Sequence, residues 1–261
     1  MYATERQKLV EQLLARQGRV AVVELAGRFD VTTETVRRDL DALERQGALV
    51  RVHGGAVLPE RASTTELTLV ERAERRSDDK QAIARRALDV LPEGFSGSIY
   101  VDAGTTTAAV AELLPARLAA IHGRADVVTH SLTVASALAG DPDVSLTLIG
   151  GRVRGVTAAA VGASTVAAIE GLRPDISFVG TNGVSADFGL STPDPDEAAV
   201  KRAIVRSARR VVVVADSSKQ DRDLLTGFAS LYEVDVLVTD AAPEPALAHA
   251  LAAADVEVSL A

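Results

Sequence analysis

From residue 99 onward, short apolar segments alternate with longer stretches that have helical spacing. Seven apolar runs are predicted strands: Ile99–Val101, Val127–Thr129, Val144–Ile149, Ile176–Val179, Val211–Ala215, Val236–Thr239 and Val256–Val258. Five stretches between them are predicted helices: Thr106–Leu114, Leu132–Leu138, Ser164–Ile169, Asp196–Ala208 and Pro245–Ala253. This alternation is typical of a largely parallel sheet with helices on both faces. Strands rich in alanine and valine fit burial on both sides, so the sequence predicts an α/β fold here.

The first 46 residues contain three segments with helical spacing of apolar residues. Residues 5–17 predict one helix, residues 22–29 predict a second helix of two turns, and the third begins after residue 32. A tight connection at Asp30-Val31 joins the last two helices. This order is that of a helix-turn-helix.

The third segment has the pattern of a recognition helix. Thr32 or Thr33 is expected to cap its N-terminus, and Gly47 stands where a left-handed residue ends a helix. Its apolar residues follow the i, i+4, i+7 spacing of one face: Val36, Leu40 and Leu43. The polar residues left near the end that enters a DNA major groove are Thr33, Glu34, Thr35, Arg37 and Arg38. An ordinary helix with a solvated charged face is the alternative.

Residues 49–57 predict a β-hairpin, because two short β-type segments flank His53-Gly54-Gly55. A hairpin after the third helix makes the segment a winged helix-turn-helix. Arg51 and His53 on this wing are predicted to contact phosphates or a minor groove; a surface hairpin without such a role is the alternative.

Three regions follow from these patterns. Residues 1–58 are predicted to form the winged helix-turn-helix and residues 77–261 the α/β domain, with a helix from Asp79 to Leu91. Residues 59–76 are densely charged, with few apolar side chains to bury, and are predicted to be a linker with a partly packed strand or arm.

Composition limits the classes of protein that remain. The 261 residues include no cysteine, so disulfides and thiolate metal sites are excluded. The first residues lack the apolar run of a signal peptide, and no stretch approaches the roughly 18 apolar residues of a membrane span, so we expect a cytoplasmic protein. Net charge is −8, but residues 1–58 have nine Lys/Arg against eight Asp/Glu, or +1, which leaves −9 for the rest. Because charges are screened beyond about 8 Å at physiological salt, an acidic body does not prevent the first 58 residues from binding DNA.

Polar residues follow the predicted strands at their carboxyl ends, where open α/β sheets bind ligands. The first strand is followed by Asp102-Ala103-Gly104-Thr105-Thr106-Thr107, which opens a helix. Its glycine, hydroxyls and unpaired helix N–H groups favour an anion such as phosphate, and the carboxylate of Asp102 could accept from sugar hydroxyls. No lysine follows at the Walker A spacing and no dinucleotide fingerprint is present. A capped strand–helix turn is the alternative.

Other strand ends are also polar: Thr129-His130-Ser131, Gly150-Gly151-Arg152, Gly180-Thr181-Asn182-Gly183 and Ala215-Asp216-Ser217-Ser218-Lys219. Glu197 and Lys201 lie four residues apart on a helix, and they are either a surface pair or part of a site.

These motifs together resemble those of DeoR-type bacterial repressors over essentially the whole chain. The resemblance is carried by Thr32–Leu40 with the flanking Arg6 helix, His53-Gly54-Gly55-Ala56, Asp102–Thr107, Glu197–Lys201 and Ala215–Lys219. It implies a winged helix-turn-helix and an effector domain similar to phosphosugar isomerases and CoA-transferases, in which a phosphorylated sugar releases the protein from operator DNA. His130 stands where the family commonly has Asn before Ser131. Met1-Tyr2-Ala3 and the wing look most like actinobacterial fructose-operon repressors.

We therefore predict a homo-oligomeric repressor of a sugar-metabolism operon, a dimer or tetramer that binds double-stranded operator DNA and a phosphorylated monosaccharide, with fructose 1-phosphate as first choice. The predicted effector-binding residues are Asp102, Gly104, Thr105, Thr106, Thr107, His130, Ser131, Lys201, Asp216 and Lys219. No catalytic residue, cofactor, metal or membrane partner is predicted.

Two other classes of function stay open at this point. One is a phosphosugar isomerase with an accessory DNA-binding head, in which Asp102, Glu197 and Lys201 act as acid–base groups. The other is an architectural DNA binder whose α/β body serves only oligomerisation.

Overall fold

The structure is a computed structural model that describes residues 2–58, 63–64 and 66–261, without the side chains of residues 15–17. Met1 and the part of the predicted linker at 59–62 and 65 lie outside the described residues. The chain forms two compact units, one ending at Glu66 and one beginning at Leu67.

The smaller unit contains three helices and a three-stranded sheet: α1 (Ala3–Gln17), β1 (Arg19–Ala21), α2 (Val22–Phe29), α3 (Thr33–Arg45), β2 (Val50–Val52) and β3 (Gly55–Val57). The strands are antiparallel in the order β1–β3–β2, so the predicted hairpin gains a third strand. Gly55 permits this pairing, because a Cβ there would lie 2.0 Å from the carbonyl oxygen of Val20.

The predicted limits of the third helix are confirmed. The hydroxyl of Thr32 accepts the N–H of Thr35 at 3.2 Å, and Gly47 has a φ of +73°. The side chains turned inward form the core of the smaller unit with α1 and α2: Val10, Leu14, Leu25, Val36, Leu40, Leu43 and Leu49. A buried ion pair also ties α1 to α3, with Nε of Arg6 2.5 Å from Oδ2 of Asp39.

The larger unit is built on seven strands: β4 (Ser96–Val101), β5 (Arg124–Thr129), β6 (Val144–Leu148), β9 (Ile176–Gly180), β12 (Val211–Val214), β14 (Val236–Thr239) and β15 (Glu257–Leu260). They form one sheet in the order β15–β14–β12–β9–β4–β5–β6, and every pair is parallel. The predicted α/β fold with its seven strands is thus confirmed.

Helices cover both faces of this sheet. Their bounds are α4 (Leu69–Glu74), α5 (Ser77–Leu88), α6 (Thr105–Ala120), α7 (Leu132–Leu138), α8 (Ala163–Glu170), α9 (Pro195–Ser207) and α10 (Pro245–Ala253). Buried side chains of α5, α6 and α7 form the core on one face. Those of α8, α9 and α10 form a second core on the other face.

Two small antiparallel sheets were not predicted. One pairs β7 (Arg152–Arg154) with β8 (Ala159–Val161), and the other joins β10 (Gly183–Ser185), β11 (Gly189–Thr192) and β13 (Thr226–Ala229). Strands of three or four residues are too short to show a period-2 pattern.

The predicted linker at 59–76 is too long, because residues 67–76 belong to the larger unit. Helix α4 begins with a capping box in which Thr68 and Glu71 bind each other's backbone N–H groups. The helix buries none of its own residues, and so it lacks the apolar stripe that identifies a helix in a sequence.

Candidate functional site

The N-terminal end of α3 presents two arginines that share one carboxylate. Arg37 and Arg38 are exposed, and each guanidinium lies 3.7 Å from a carboxylate oxygen of Glu34. Exposed ion pairs contribute about 0–1 kcal/mol, so both arginines can turn to another anion at little cost. Thr33 is exposed beside them, and Thr35 is half-buried with its hydroxyl 2.9 Å from that of Thr32.

Arg51, predicted to contact DNA, holds the wing against α3. Its guanidinium forms an ion pair with Asp41, and its Nε donates to the carbonyl oxygen of Gly55 at 3.3 Å. Its backbone N–H also donates to the carboxylate of Glu44 at 2.8 Å. The side chain therefore has a structural role, whereas His53 is exposed in the turn of the wing.

The carboxyl ends of β4, β9 and β12 lie side by side in the larger unit, with β5 on the other side of β4. Asp102, directly after β4, is completely buried. Its Oδ2 accepts from Nζ of Lys201 at 2.5 Å and from the N–H of Gly180 at 2.9 Å, and its Oδ1 accepts from the N–H of Ala103 at 2.8 Å. Lys201 donates as well to the carbonyl oxygen of Gly180 at 2.9 Å. The pair therefore joins the loops after β4 and β9 to α9.

His130 lies behind this pair in a closed environment. Its Nδ1 is 3.0 Å from the hydroxyl of Tyr100, and its Nε2 is 3.7 Å from Oδ1 of Asp102. Burial lowers the pKa of His130, and the charge of Asp102 opposes this shift. The imidazole is therefore neutral at pH 7. Ser131 caps α7, because its hydroxyl accepts the N–H of Val134 at 3.3 Å.

The predicted phosphate loop opens α6 with its backbone N–H groups available. Gly104 stands at the N-cap with a φ of +151°, a conformation that side chains disfavour. Within the part of the chain that the structure describes, no side chain caps this helix. Thr105 is half-buried and Thr106 is 8 % exposed, while the hydroxyl of the buried Thr107 donates to the carbonyl oxygen of Gly104 at 3.0 Å. An uncapped helix N-terminus is a favourable place for an anion.

Asp216 and Lys219 follow β12 in a short 3-10 turn, Ser217–Lys219. Burial raises the pKa of Asp216, but the charge of Lys219 and the hydrogen bonds from Ser218 keep it below its usual range. Nζ of Lys219 lies 4.0 Å from Oδ2 of Asp216. Burial lowers the pKa of Lys219 despite Asp216, and the cations around it add to that shift: Arg222, Arg72 and Arg75. The lysine thus lies among like charges.

Two family models match the chain. The model of the DeoR-like helix-turn-helix domain matches residues 6–62, and that of the DeoR C terminal sensor domain matches residues 75–241. The chain belongs to the DeoR family.

Several relatives of this DeoR-family chain match nearly its full length. The glycerol-3-phosphate regulon repressor of Escherichia coli K12 is 32% identical over 260 residues, which is 100% of both chains. The HTH-type transcriptional regulator FruR of Bacillus subtilis 168, described as uncharacterized, is 35% identical over 245 residues and 92% of each chain. The HTH-type transcriptional regulator GlpR of Haloferax volcanii is 37% identical over 240 residues, 92% of this chain and 91% of its own. The chain is thus a transcriptional repressor of the DeoR type, and the isomerase hypothesis is wrong.

Among solved structures, ribose 5-phosphate isomerase A of Methanocaldococcus jannaschii matches with a TM-score of 0.40 and 19% identity over 55% of this chain and 54% of that chain. None of the helices described in this DeoR-family chain is long and apolar enough to cross a membrane.

Glu197 and Lys201 of this repressor do not form the surface pair that their spacing allowed. Both are buried: Lys201 binds Asp102, and Oε1 of Glu197 accepts from Arg154 at 2.6 Å. Arg154 comes from the unpredicted β7–β8 hairpin, so its role was not visible in the sequence.

Arg72, Arg76 and Lys80 were also missed, since they lay in or near the predicted linker. Nη2 of Arg76 lies 2.5 Å from Asp240, and its Nη1 lies 3.8 Å from Asp216. The dense charge of residues 71–80 was the available signal.

Two surface hollows lie at the opposite, amino-terminal edge of the sheet, along residues 94–97, 122–126 and 142–145. Helices α5 and α6 end toward that edge and present their last carbonyl groups there. The negative end of a helix dipole disfavours an anion, so the carboxyl edge is the better anion site.

Proposed function

We propose that this repressor reads operator DNA with the N-terminal end of α3 and leaves the operator when a phosphorylated monosaccharide binds at the carboxyl edge of the larger unit. The observation that carries the effector site is the uncapped N-terminus of α6. Lys219 follows β12, two strands from β4, and strands in a sheet are about 4.8 Å apart. A sugar phosphate is long enough to span that interval.

On the DNA side, Arg37 and Arg38 are the proposed principal contacts, with Thr33 and Thr35 assisting at bases or phosphates. Glu34 holds both guanidiniums when DNA is absent, and it gives them up to phosphates or guanine edges in the complex. His53 would contact backbone phosphate from the wing, while Arg51 keeps the wing in place.

At the effector site, the phosphate would bind the N–H groups and hydroxyls of Gly104 to Thr107, and Lys219 would supply a charge-assisted bond. Asp216 would hold a sugar hydroxyl. Asp102 binds Lys201, and the buried His130 lies behind this pair with its Nδ1 at the hydroxyl of Tyr100. The proposed role of Asp102, Lys201 and His130 is therefore to shape the wall of the site. Ser131 caps the neighbouring α7, and its proposed role is to hold the start of that helix at the edge of the site.

Fructose 1-phosphate is the effector that we propose first. Glycerol 3-phosphate is the natural comparison, because a relative of full length is named as the repressor of a glycerol-3-phosphate regulon. We also propose a cytoplasmic dimer or tetramer, since two heads on a symmetric body match a repeated or palindromic operator.

The test is release from operator DNA, followed by fluorescence anisotropy while fructose 1-phosphate is added. Thr106→Val removes a hydroxyl from the phosphate loop, and Lys219→Ala removes the cation. Both variants should bind operator like the parent but need roughly 10- to 100-fold more effector for release, since a hydrogen bond to a charged group contributes about 1.5–3 kcal/mol.

Ser145→Ala and Arg124→Ala are matched controls on exposed side chains at the opposite, amino-terminal edge of the sheet, and both should respond like the parent. If Thr106→Val and Lys219→Ala leave operator DNA at the same effector concentration as the parent, the phosphate site lies elsewhere. If the parent responds to glycerol 3-phosphate but not to fructose 1-phosphate, the proposed phosphate site stands and the proposed effector is wrong.

A further inference from the structure

Helix α4 is the first element after the linker, and it lies at the carboxyl edge of the larger unit. The N–H of Leu69 donates to the carbonyl oxygen of Val156, in the turn between β7 and β8, at 3.1 Å. Nζ of Lys80, in the first turns of α5, binds the carbonyl oxygens of Arg72 and Arg75. Helix α4 also packs against α6. Because α5 and α6 both begin at the carboxyl edge, α4 is held beside the proposed effector site.

Six basic side chains lie on α4, at the start of α5 and in the turn after β12, interspersed with acidic ones. They are Arg72, Arg75, Arg76, Lys80, Lys219 and Arg222. Lys80 and Lys219 lie within electrostatic range of this group, because nearby cations lower the pKa of each amine in addition to burial. Arg76 pairs with three of the carboxylates beside these cations, Asp79, Asp216 and Asp240. An anion beside Lys219 would offset the repulsion that this amine feels from Arg222, Arg72 and Arg75.

Arg72 supplies the specific site within this cluster. Its Nε and Nη2 are buried, and among the described residues they have no hydrogen-bond partner. A buried donor without an acceptor costs about 1–3 kcal/mol, and more when it is charged. The planar fork of a guanidinium matches two oxygens of a phosphate or carboxylate. Arg72 is therefore poised for an oxyanion.

We propose that Arg72 binds the phosphate of the effector from α4, opposite the N-terminus of α6 and beside Lys219. The proposal rests on the proposed function and adds a route of regulation to it. The residues immediately before α4 lead to the DNA-binding unit, so an effector held by Arg72 fixes the start of the sensor where the linker joins it. Effector binding would therefore also fix the position of the residues at which the linker ends.

The test uses the full chain and three variants. Arg72→Gln keeps the length and polarity of the side chain without its charge, Arg72→Lys keeps the charge without the fork, and Arg85→Gln is the matched control on an exposed arginine of α5. Binding of fructose 1-phosphate and of glycerol 3-phosphate is measured by calorimetry, operator release by anisotropy, and amide hydrogen exchange over residues 68–76 with and without ligand.

In the parent and in Arg85→Gln, ligand should slow exchange across α4 and release operator. In Arg72→Gln we expect at least a tenfold loss of ligand affinity, no slowing of exchange in α4 and unchanged operator affinity without ligand, with part of the ligand affinity restored in Arg72→Lys. If the parent binds ligand and Arg72→Gln responds to it equally, the role of Arg72 is refuted while the proposed function stands. If neither phosphate ester binds the parent, both are refuted.

Discussion

At the scale of single residues, buried charges at the carboxyl edge have defined partners. Asp102 binds Lys201, and Glu197 binds Arg154. Breaking a buried pair from one side costs about 3–5 kcal/mol, so these pairs fix the loops that surround the proposed effector. Side chains that the sequence offered as ligand contacts thus serve first to hold the site in shape.

His130 predicts a pH dependence of stability. Its pKa in the folded protein is below the ordinary value of 6.5, so when the pH falls below about 6.5 the unfolded chain takes up a proton that the folded protein does not. The free energy of unfolding should therefore be fully retained above pH 6.5 and fall below it, by up to about 1.4 kcal/mol per pH unit. Urea unfolding at pH 7.5 and pH 5.5 measures the difference.

Asparagine at this position should remove that contribution, so His130→Asn should lose less stability over the same interval. His249→Asn, at an exposed position of α10, serves as control and should behave like the parent. Equal pH dependence in the parent and in His130→Asn would show that the imidazole does not titrate as its burial requires.

At the scale of elements, periodicity decided what could be predicted. The helices and strands that bury a stripe or a continuous apolar run, such as α3 and β12, were recognisable because many residues repeat one pattern. Helix α4 buries no residue and so has no apolar stripe, and β7 and β8, with three residues each, are too short to show a period. None of the three could be recognised from the sequence. The partners of charged groups were not predictable, because Asp102 and Lys201 are 99 residues apart and meet only through the sheet order.

For α3 we predict that Arg37 and Arg38 carry DNA binding. The double change Arg37→Ala, Arg38→Ala should lower operator affinity by at least about tenfold, because loss of one base-reading arginine costs roughly 1–3 kcal/mol. Loss of an arginine that contacts phosphate should also reduce the slope of operator affinity against salt concentration by about one. Anisotropy at several salt concentrations, with operator and unrelated DNA, separates the two effects.

Arg45→Ala, at the other end of α3, is the control and should bind operator like the parent. Sedimentation should give the same oligomer for all three proteins. An unchanged operator affinity in a folded double variant would remove α3 from the DNA-reading role.

At the scale of the whole molecule, charge divides as the two units do. The smaller unit, residues 1–66, has ten Lys/Arg against ten Asp/Glu and is neutral, so the whole net charge of −8 lies on the larger unit. Only the smaller unit is therefore free of a net repulsion from DNA, while six cations of the larger unit lie around α4 and the turn after β12. The division fits a DNA-reading unit joined to a unit that senses an anion. It also explains why the global net charge is a poor guide to the partners of this repressor.

Calorimetric melting of the full chain with fructose 1-phosphate tests the proposed sensor most directly. A ligand that binds only the folded state stabilises it by about 2.7 kcal/mol at 100 times its dissociation constant, so the transition of the larger unit should move to higher temperature. Fructose alone, at the same concentration, should leave that transition in place, and the transition of the smaller unit should not move with either compound. An unchanged melting curve with fructose 1-phosphate and with every other phosphorylated monosaccharide tested would contradict the proposal that the larger unit senses such a ligand.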